Sequence, residues 1–320
     1  MPLDSLTELL PSLCCPRCRS SLRPTNGSLN CTSTGCALAK SAFPVIAGLP
    51  VLVDFEVSIV AEQSVTTAIA PNAAAGSQEG VRGLSSRWQR PVNSVATANL
   101  DQLLEHLAEE VAGRQPRILV VGGASVGNGI ERIYTQPDLR IVAFDVAPSH
   151  HCQLVADGHQ IPFKDATFDA VIVQAVLEHV LDPRRVVQEI HRVLDERGIV
   201  YAETPFMQQV HEGPFDFHRF THSGHRWLFR DFSELSSGAV AGPGTALQWA
   251  IDYALRAQTG SRRLGIRSRL ATWPLARLDA RLSRERSLDA ACALYFLGRR
   301  ATSAMSAPEL VSYYAGAQRQ

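Results

Sequence analysis

Apolar positions along this chain recur at two periods. Leu100, Leu103, Leu104, Leu107 and Val111 fall three and four residues apart, which predicts an amphipathic helix over 99–112, closed by Gly113 and Pro116. Short β-rich runs at 117–121, 141–144, 170–173 and 199–202 predict strands. Between the first two, Ile130, Ile133 and Tyr134 share one face and predict a second helix before Pro137. A third helix starts with Asp182 as N-cap and Pro183 at the first helical position. Val186, Val187, Ile190 and Leu194 form its apolar stripe and Gly198 its stop. Strands alternating with such helices predict an α/β fold, a parallel sheet with helices on both faces. Further on, 245–286 reads as mainly helical, and 291–297 is apolar enough to return to the sheet as a late strand.

Composition narrows this picture. The 320 residues suggest about two domains, and 45% hydrophobic against 19% charged residues exclude a disordered or fibrous chain. The pattern divides into a cysteine-rich head (1–56), an Ala/Ser/Thr/Gln-rich linker or lid (57–97), the regular α/β part (98–300) and a tail expected to fray (301–320). Lys+Arg and Asp+Glu balance at 31 each, which argues against a whole-molecule polyanion binder. Lys40 and Lys164 are the only lysines, and the simplest account of the arginine excess is a coding bias. Yet 256–286 holds nine Arg against Asp279 and Glu285, a local excess of seven positive charges that keeps nucleic acid as the second-choice partner. The start lacks a basic n-region, and no run approaches the ~20 apolar residues of a membrane span. The expectation is a cytoplasmic protein without a membrane partner.

Five of the seven cysteines fall in the first 36 residues. Cys15–Cys18 and Cys31–Cys36 form two pairs separated by twelve residues, and each pair can present two thiolates to one tetrahedral ion. The head is too short to bury a core, so structural Zn2+ would supply its folding energy. A redox Cys-x-x-Cys would need no second pair. Cys14 is a spare that could exchange with Cys15. The head and its ending, Ala42-Phe43-Pro44-Val45-Ile46-Ala47-Gly48-Leu49-Pro50, resemble the zinc ribbon of the small activator subunit that partners tRNA and protein methyltransferases. That resemblance implies a methyltransferase nearby; the wider gap between Cys31 and Cys36 departs from the family.

The run from Ile118 through Gly122-Gly123-Ala124-Ser125-Val126-Gly127-Asn128-Gly129 passes from a strand into a turn that lets a ligand lie against bare backbone. About twenty residues on, Asp145 ends the next strand, where a carboxylate can accept both hydroxyls of a ribose. The stretch 155–171, the segment Gln174-Ala175-Val176-Leu177-Glu178-His179-Val180 and the run Arg192-Val193-Leu194-Asp195-Glu196-Arg197-Gly198 resemble successive motifs of class I S-adenosylmethionine-dependent methyltransferases. The likeness is to the branch that includes ubiquinone-biosynthesis enzymes. It implies a Rossmann-like sheet and S-adenosyl-L-methionine as cofactor. Gly122, Gly123, Ala124 and Gly127 would line its methionine part, Asp145 with Val146 its ribose, and Asp157 with Gly158 its adenine. Gln174 would sit at the strand end beneath the methyl group. Val120 stands where the family usually has an acid.

The segment 204–221 resembles a His-Glu-x-Pro-x-Asp-Phe-x-Arg-x-Thr signature of bacterial methyltransferases of this superfamily. Here His211 or His218 is the candidate base, and Asp216 and Arg219 orient base or acceptor. The alternative is that Asp216 and Arg219 merely pin a structural loop. Three functions follow: O-methylation of a small molecule, sugar or glycan precursor; RNA methylation using the ribbon and the Arg-rich segment; or an inactive scaffold of the same fold.

Overall fold

The computed structural model describes residues 5–74, 93–111 and 113–319. Residues 75–92 of the expected linker, and residue 112 of the first predicted helix, lie outside the described residues. The chain folds as two units, Met1–Ile172 with Gln188–Ile199, and Val173–Val187 with Val200–Gln320.

The first unit opens with the short helix α1 (Leu6–Leu9), then β1 (Leu22–Thr25), β2 (Ser28–Cys31), β3 (Ala42–Ile46) and β4 (Leu49–Leu52). It continues with helices α2 (Glu62–Ala74) and α3 (Ser94–Glu110) and strands β5 (Arg117–Val121), β6 (Arg140–Asp145), β7 (Leu154–Ala156) and β8 (Phe168–Gln174). Its strands are ordered β1-β2-β3-β4-β7-β6-β5-β8. The first four pair antiparallel, whereas β4–β7, β7–β6 and β6–β5 are parallel. The cysteine-rich head is therefore not tethered beside the α/β sheet but built into it: β4 is the sheet's next strand, with Val51 opposite Val155 and Leu52 opposite Ala156. Two backbone bonds reinforce the joint, Cys14 N–H donating to Pro162 O and Lys164 N–H to Ser12 O, both at 2.9 Å. The strand order jumps from β5 to β8, the kind of switch point beside which α/β sheets bind ligands.

Helix α4 (Pro183–Val193) and strand β9 (Leu194–Pro205), like β8, are continuous and run from one unit into the other. The second unit adds α5 (His222–Leu228), β10 (Phe232–Ala241), the helical pair α6 (Pro243–Thr259) and α7 (Arg262–Leu278), then α8 (Arg284–Leu288), β11 (Ala293–Arg300) and α9 (Ala307–Tyr313). The late strand expected at 291–297 is β11, antiparallel to β10.

Four sequence expectations are corrected. The helix expected before Pro137 is only a 3₁₀ turn, Glu131–Thr135, because Gly129 at φ +93° and Pro137 leave room for about two turns, too few to repay nucleation. Helix α4 ends at Val193, so Gly198 is not its stop; it lies inside β9, where a Cβ would come within 2.8 Å of the Leu194 side chain. Within the expected linker, 62–74 is helical, and Val65 and Ile69 are buried against Val51, Val53 and Val155. The tail does not fray from its start: Ser306 and Glu309 form a capping box on α9, and Tyr313 donates to Glu234 at 2.6 Å.

Candidate active site

In the first unit the glycine turn and Asp145 are one construction. Gly122, at φ +78°, and Gly123 donate their N–H groups to Phe144 O at 3.0 and 2.9 Å, which lays the turn across the carboxyl end of β6. Ala124 N–H then donates to Asp145 Oδ2 at 3.0 Å, and Ala147 N–H to Oδ1 at 2.9 Å. Burial raises the Asp145 pKa above the ordinary carboxylate value, opposed by these backbone donors. Val146 is exposed beside it, and Gly127 is half-buried. A Cβ on Gly123 would stand 2.7 Å from Ala143 Cβ, which has no longer side chain to swing aside. Gly123→Ala is therefore expected to destabilise the protein by about 1–3 kcal/mol, read as a lowered thermal midpoint; an unchanged midpoint would show that the turn is not held this tightly.

Asp157 follows β7 and caps the turn carrying buried Gly158. Its carboxylate accepts Ser58 Oγ at 2.5 Å and the His159 N–H at 2.9 Å. Burial works against its charge, but His159 and Ser58 outweigh it and hold the pKa low. The structure thus gathers Gly122, Gly123, Ala124, Asp145, Asp157 and Gly158 at the carboxyl ends of β5, β6 and β7. Val120 is buried within β5.

In the second unit Gln174 is locked by Glu203, to which its Nε2 donates at 2.8 Å. Ala175, directly after it, adopts φ +55°, a left-handed conformation costing a non-glycine residue about 1–2 kcal/mol, and its N–H donates to Glu203 O at 3.0 Å.

One candidate base, His211, faces a residue that sequence reasoning did not single out. Glu178 is 1% exposed, and neither carboxylate oxygen has a hydrogen-bond partner among the described residues. His179 Nε2 and His211 Nε2 approach its Oε1 at 3.7 and 3.8 Å. The far nitrogen of each ring is anchored: His179 Nδ1 to Phe215 O at 2.8 Å, and His211 Nδ1 near Asp216 Oδ2 at 3.4 Å. Burial pushes the Glu178 pKa up to about 8 and lowers that of His179. Facing ring nitrogens and an orphaned carboxyl of this kind can share a proton or close on a cation; the three donor atoms lie within 4.8 Å of one another.

Arg219 forks onto both oxygens of Asp216 and donates to the carbonyls of Gln208 (2.8 Å), Gln209 (3.0 Å) and His218 (2.7 Å). The Arg219 guanidinium holds the Asp216 pKa down at about 2. Asp216 also accepts the His211 backbone N–H at 2.9 Å. These two residues clamp the loop and seat His211. His218 lines a cleft of about 680 Å³ together with Asp216 and Arg219, bordered also by Gln208, Gln209, Val210, Phe217 and Tyr253. Its Nε2 lies 3.2 Å from Leu181 O. A carbonyl only accepts, so that contact places the proton on Nε2 and leaves Nδ1 as the basic nitrogen of the neutral ring.

In the head, the sulfurs of Cys15, Cys18, Cys31 and Cys36 lie within 4.8 Å of one another. Cys15–Cys36 and Cys18–Cys31 are 3.9 and 3.4 Å apart, close to the roughly 3.8 Å edge of a tetrahedron with metal–sulfur bonds of about 2.3 Å and far beyond a disulfide bond. Cys14 is buried and outside the group. Arg17 pairs with buried Asp54 beyond β4, fastening the knuckle to the strand that enters the sheet.

A glycine turn locked to an acidic residue stands here beside a sheet's switch point, the place where α/β folds bind ligands. Residues 123–202, about a quarter of the chain, match the family described as methyltransferase domain. Residues 123–202 thus carry a methyltransferase domain. Among solved structures, the Burkholderia thailandensis 1,6-didemethyltoxoflavin-N1-methyltransferase, bound to 1,6-didemethyltoxoflavin and S-adenosylhomocysteine, is 14% identical. The match covers 76% of this chain and 92% of that one at a TM-score of 0.40. The Haemonchus contortus phosphoethanolamine N-methyltransferase 2 in complex with S-adenosyl-L-methionine is 13% identical, over 63% of this chain and 53% of its own, at 0.40. A chain of the complex between the Haloferax volcanii Trm112 methyltransferase activator and a methyltransferase is 17% identical, over 67% and 97%, at 0.41. No curated protein matches the chain.

Proposed function

We propose that this methyltransferase O-methylates a small molecule, sugar or glycan precursor, with His218 as the general base and structural Zn2+ held by Cys15, Cys18, Cys31 and Cys36. The cleft lined by His218 carries the reading: its amide, aromatic and imidazole lining, with the paired Asp216 and Arg219, suits a polar, hydroxyl-bearing acceptor. Transfer from a sulfonium is driven largely by positioning, but a hydroxyl is a poor nucleophile until its proton is taken. With Nε2–H on Leu181 O, Nδ1 would be the nitrogen of His218 that takes that proton. His211, seated by Asp216 and facing Glu178, supports the loop as a positioning residue. Gly122, Gly123, Ala124, Gly127, Asp145 and Val146 hold the donor's methionine and ribose, and Asp157 and Gly158 its adenine side.

His218→Ala is expected to lower kcat about 10²–10⁴-fold while leaving the donor Kd, measured by isothermal titration, within about twofold. Equal turnover in His218→Ala and wild type sinks the base assignment, and absence of donor binding in the wild type favours the scaffold instead. Methyl-labelled donor incubated with host extract, then fractionated into RNA, protein, glycan and small molecules, tests the acceptor class. Label confined to RNA would replace it with RNA methylation, the reading the Arg-rich segment supports.

A further inference from the structure

The α6–α7 pair inverts the usual amphipathic order, in which a surface helix buries its apolar face and wets its polar one. Its inner seam is charged. Asp252 is fully buried on α6 and accepts Arg256 Nε at 2.5 Å from its own helix and Arg269 Nε at 2.5 Å from α7. Gln248 donates to Arg269 O at 2.8 Å. Gly265 lets the helices close on this seam, since a Cβ there would meet Asp252 Oδ1 at 2.1 Å. Several large apolar side chains are left outside. On α7, Ile266, Leu270 and Trp273 follow at four- and three-residue steps and so form one stripe; Leu270 is 72% exposed and Trp273 45%. Leu247 and Leu255 on α6 are exposed as well. Arg263, Arg267 and Arg277 are exposed around the α7 stripe, within the segment carrying seven excess positive charges.

We infer that the α6–α7 hairpin docks on an anionic lipid surface, its apolar stripe at the headgroup–acyl boundary and its arginines on the phosphates. Exposed apolar side chains interleaved with arginine are the composition of interfacial helices. Among the described residues no helix is long and apolar enough to cross a membrane; a hairpin lying in the interface needs no spanning length. A second copy on the same face would bring two strongly positive segments together. RNA would engage the arginines and stack on Trp273 but leave Ile266 and Leu270 in water.

The test is flotation of the full chain with vesicles of phosphatidylcholine alone and of phosphatidylcholine with one quarter phosphatidylglycerol. Binding to the anionic vesicles is expected, weaker by tenfold or more on neutral ones. Leu270→Glu and Ile266→Glu should each reduce it at least fivefold without changing the thermal midpoint, because both side chains already face water. Arg263→Glu with Arg267→Glu should remove the preference for anionic lipid. The proposal falls if wild-type chain floats with neither vesicle, or if both glutamate variants float as wild type does. It falls too if the protein retards RNA but ignores vesicles. A wild-type dimer by light scattering that Leu270→Glu dissociates, without vesicle binding, would assign the face to self-association.

Discussion

Replacing Cys18 and Cys31 together by serine is expected to unfold the head and lower the thermal midpoint of the whole protein by about 10 °C or more, whereas Cys14→Ser should change it little. The size follows from what holds the head together. Its hairpins bury Leu22, Leu29, Phe43, Val51 and Leu52, and the proposed Zn2+ would add to this small core metal binding on the order of 10 kcal/mol in small zinc domains. The loss would not stay local. Strand β4 is hydrogen-bonded to β7 in parallel, and the Cys14 and Lys164 N–H groups bond across the joint between head and sheet. Melting the head therefore exposes an edge of the sheet that carries Asp157, and with it the Ser58 bond on that carboxylate. The first measurement is metal content: one Zn2+ per wild-type chain, none in the double variant. The second is thermal unfolding with and without a strong chelator. A double variant that melts with wild type, or a wild-type chain that holds no zinc after purification in its presence, would remove the metal from the account.

Periodicity and local chemistry told different amounts about this molecule. Strands β5, β6, β8, β9 and β11 and helices α3 and α4 were readable because each carries an uninterrupted apolar run or stripe, and the stripe is what the fold buries. The 3₁₀ turn before Pro137 was not, since its apolar residues have helical spacing but the chain is too short between Gly129 and Pro137. The head's entry into the sheet left no local trace: Leu49–Leu52 reads as a hairpin strand whether or not β7 is beside it. At the site, the glycine turn, Asp145 and the four cysteines stood out by their spacing, and the structure brings each set together. Glu178 did not stand out. It stands in the run Val176-Leu177-Glu178-His179-Val180, and its burial and lack of partners depend on a loop thirty to forty residues later folding over it through His211, Phe215 and Asp216. Asp252 was hidden in part: Arg256 stands four residues on along the same helix, but the second partner, Arg269, lies on the next one.

Glu178→Gln is expected to make the protein more stable than wild type in alkaline buffer, by an amount that grows with pH. The ordinary glutamate value is 4.5, and burial raises it to about 8 in the fold. Below about pH 4.5 the carboxyl is protonated both folded and unfolded, and its burial carries no charge penalty. Between 4.5 and 8 the unfolded chain releases the proton while the folded one keeps it, so folding loses up to about 1.4 kcal/mol per pH unit. Above 8 the folded carboxyl ionises too and the loss levels off, a few kcal/mol below its acid value on the order-of-magnitude scale of buried carboxyls. Glutamine has the same shape and no such titration. At pH 5 the two melting points should lie within about 2 °C, and by pH 9 the variant should lead by about 5 °C or more. Denaturant midpoints measured in parallel should diverge over the same window. Parallel curves from pH 5 to 9 would mean that Glu178 is ionised in the fold at neutral pH. Its charge would then have to be met by neighbouring cations, of which Arg219 already favours the carboxylate form.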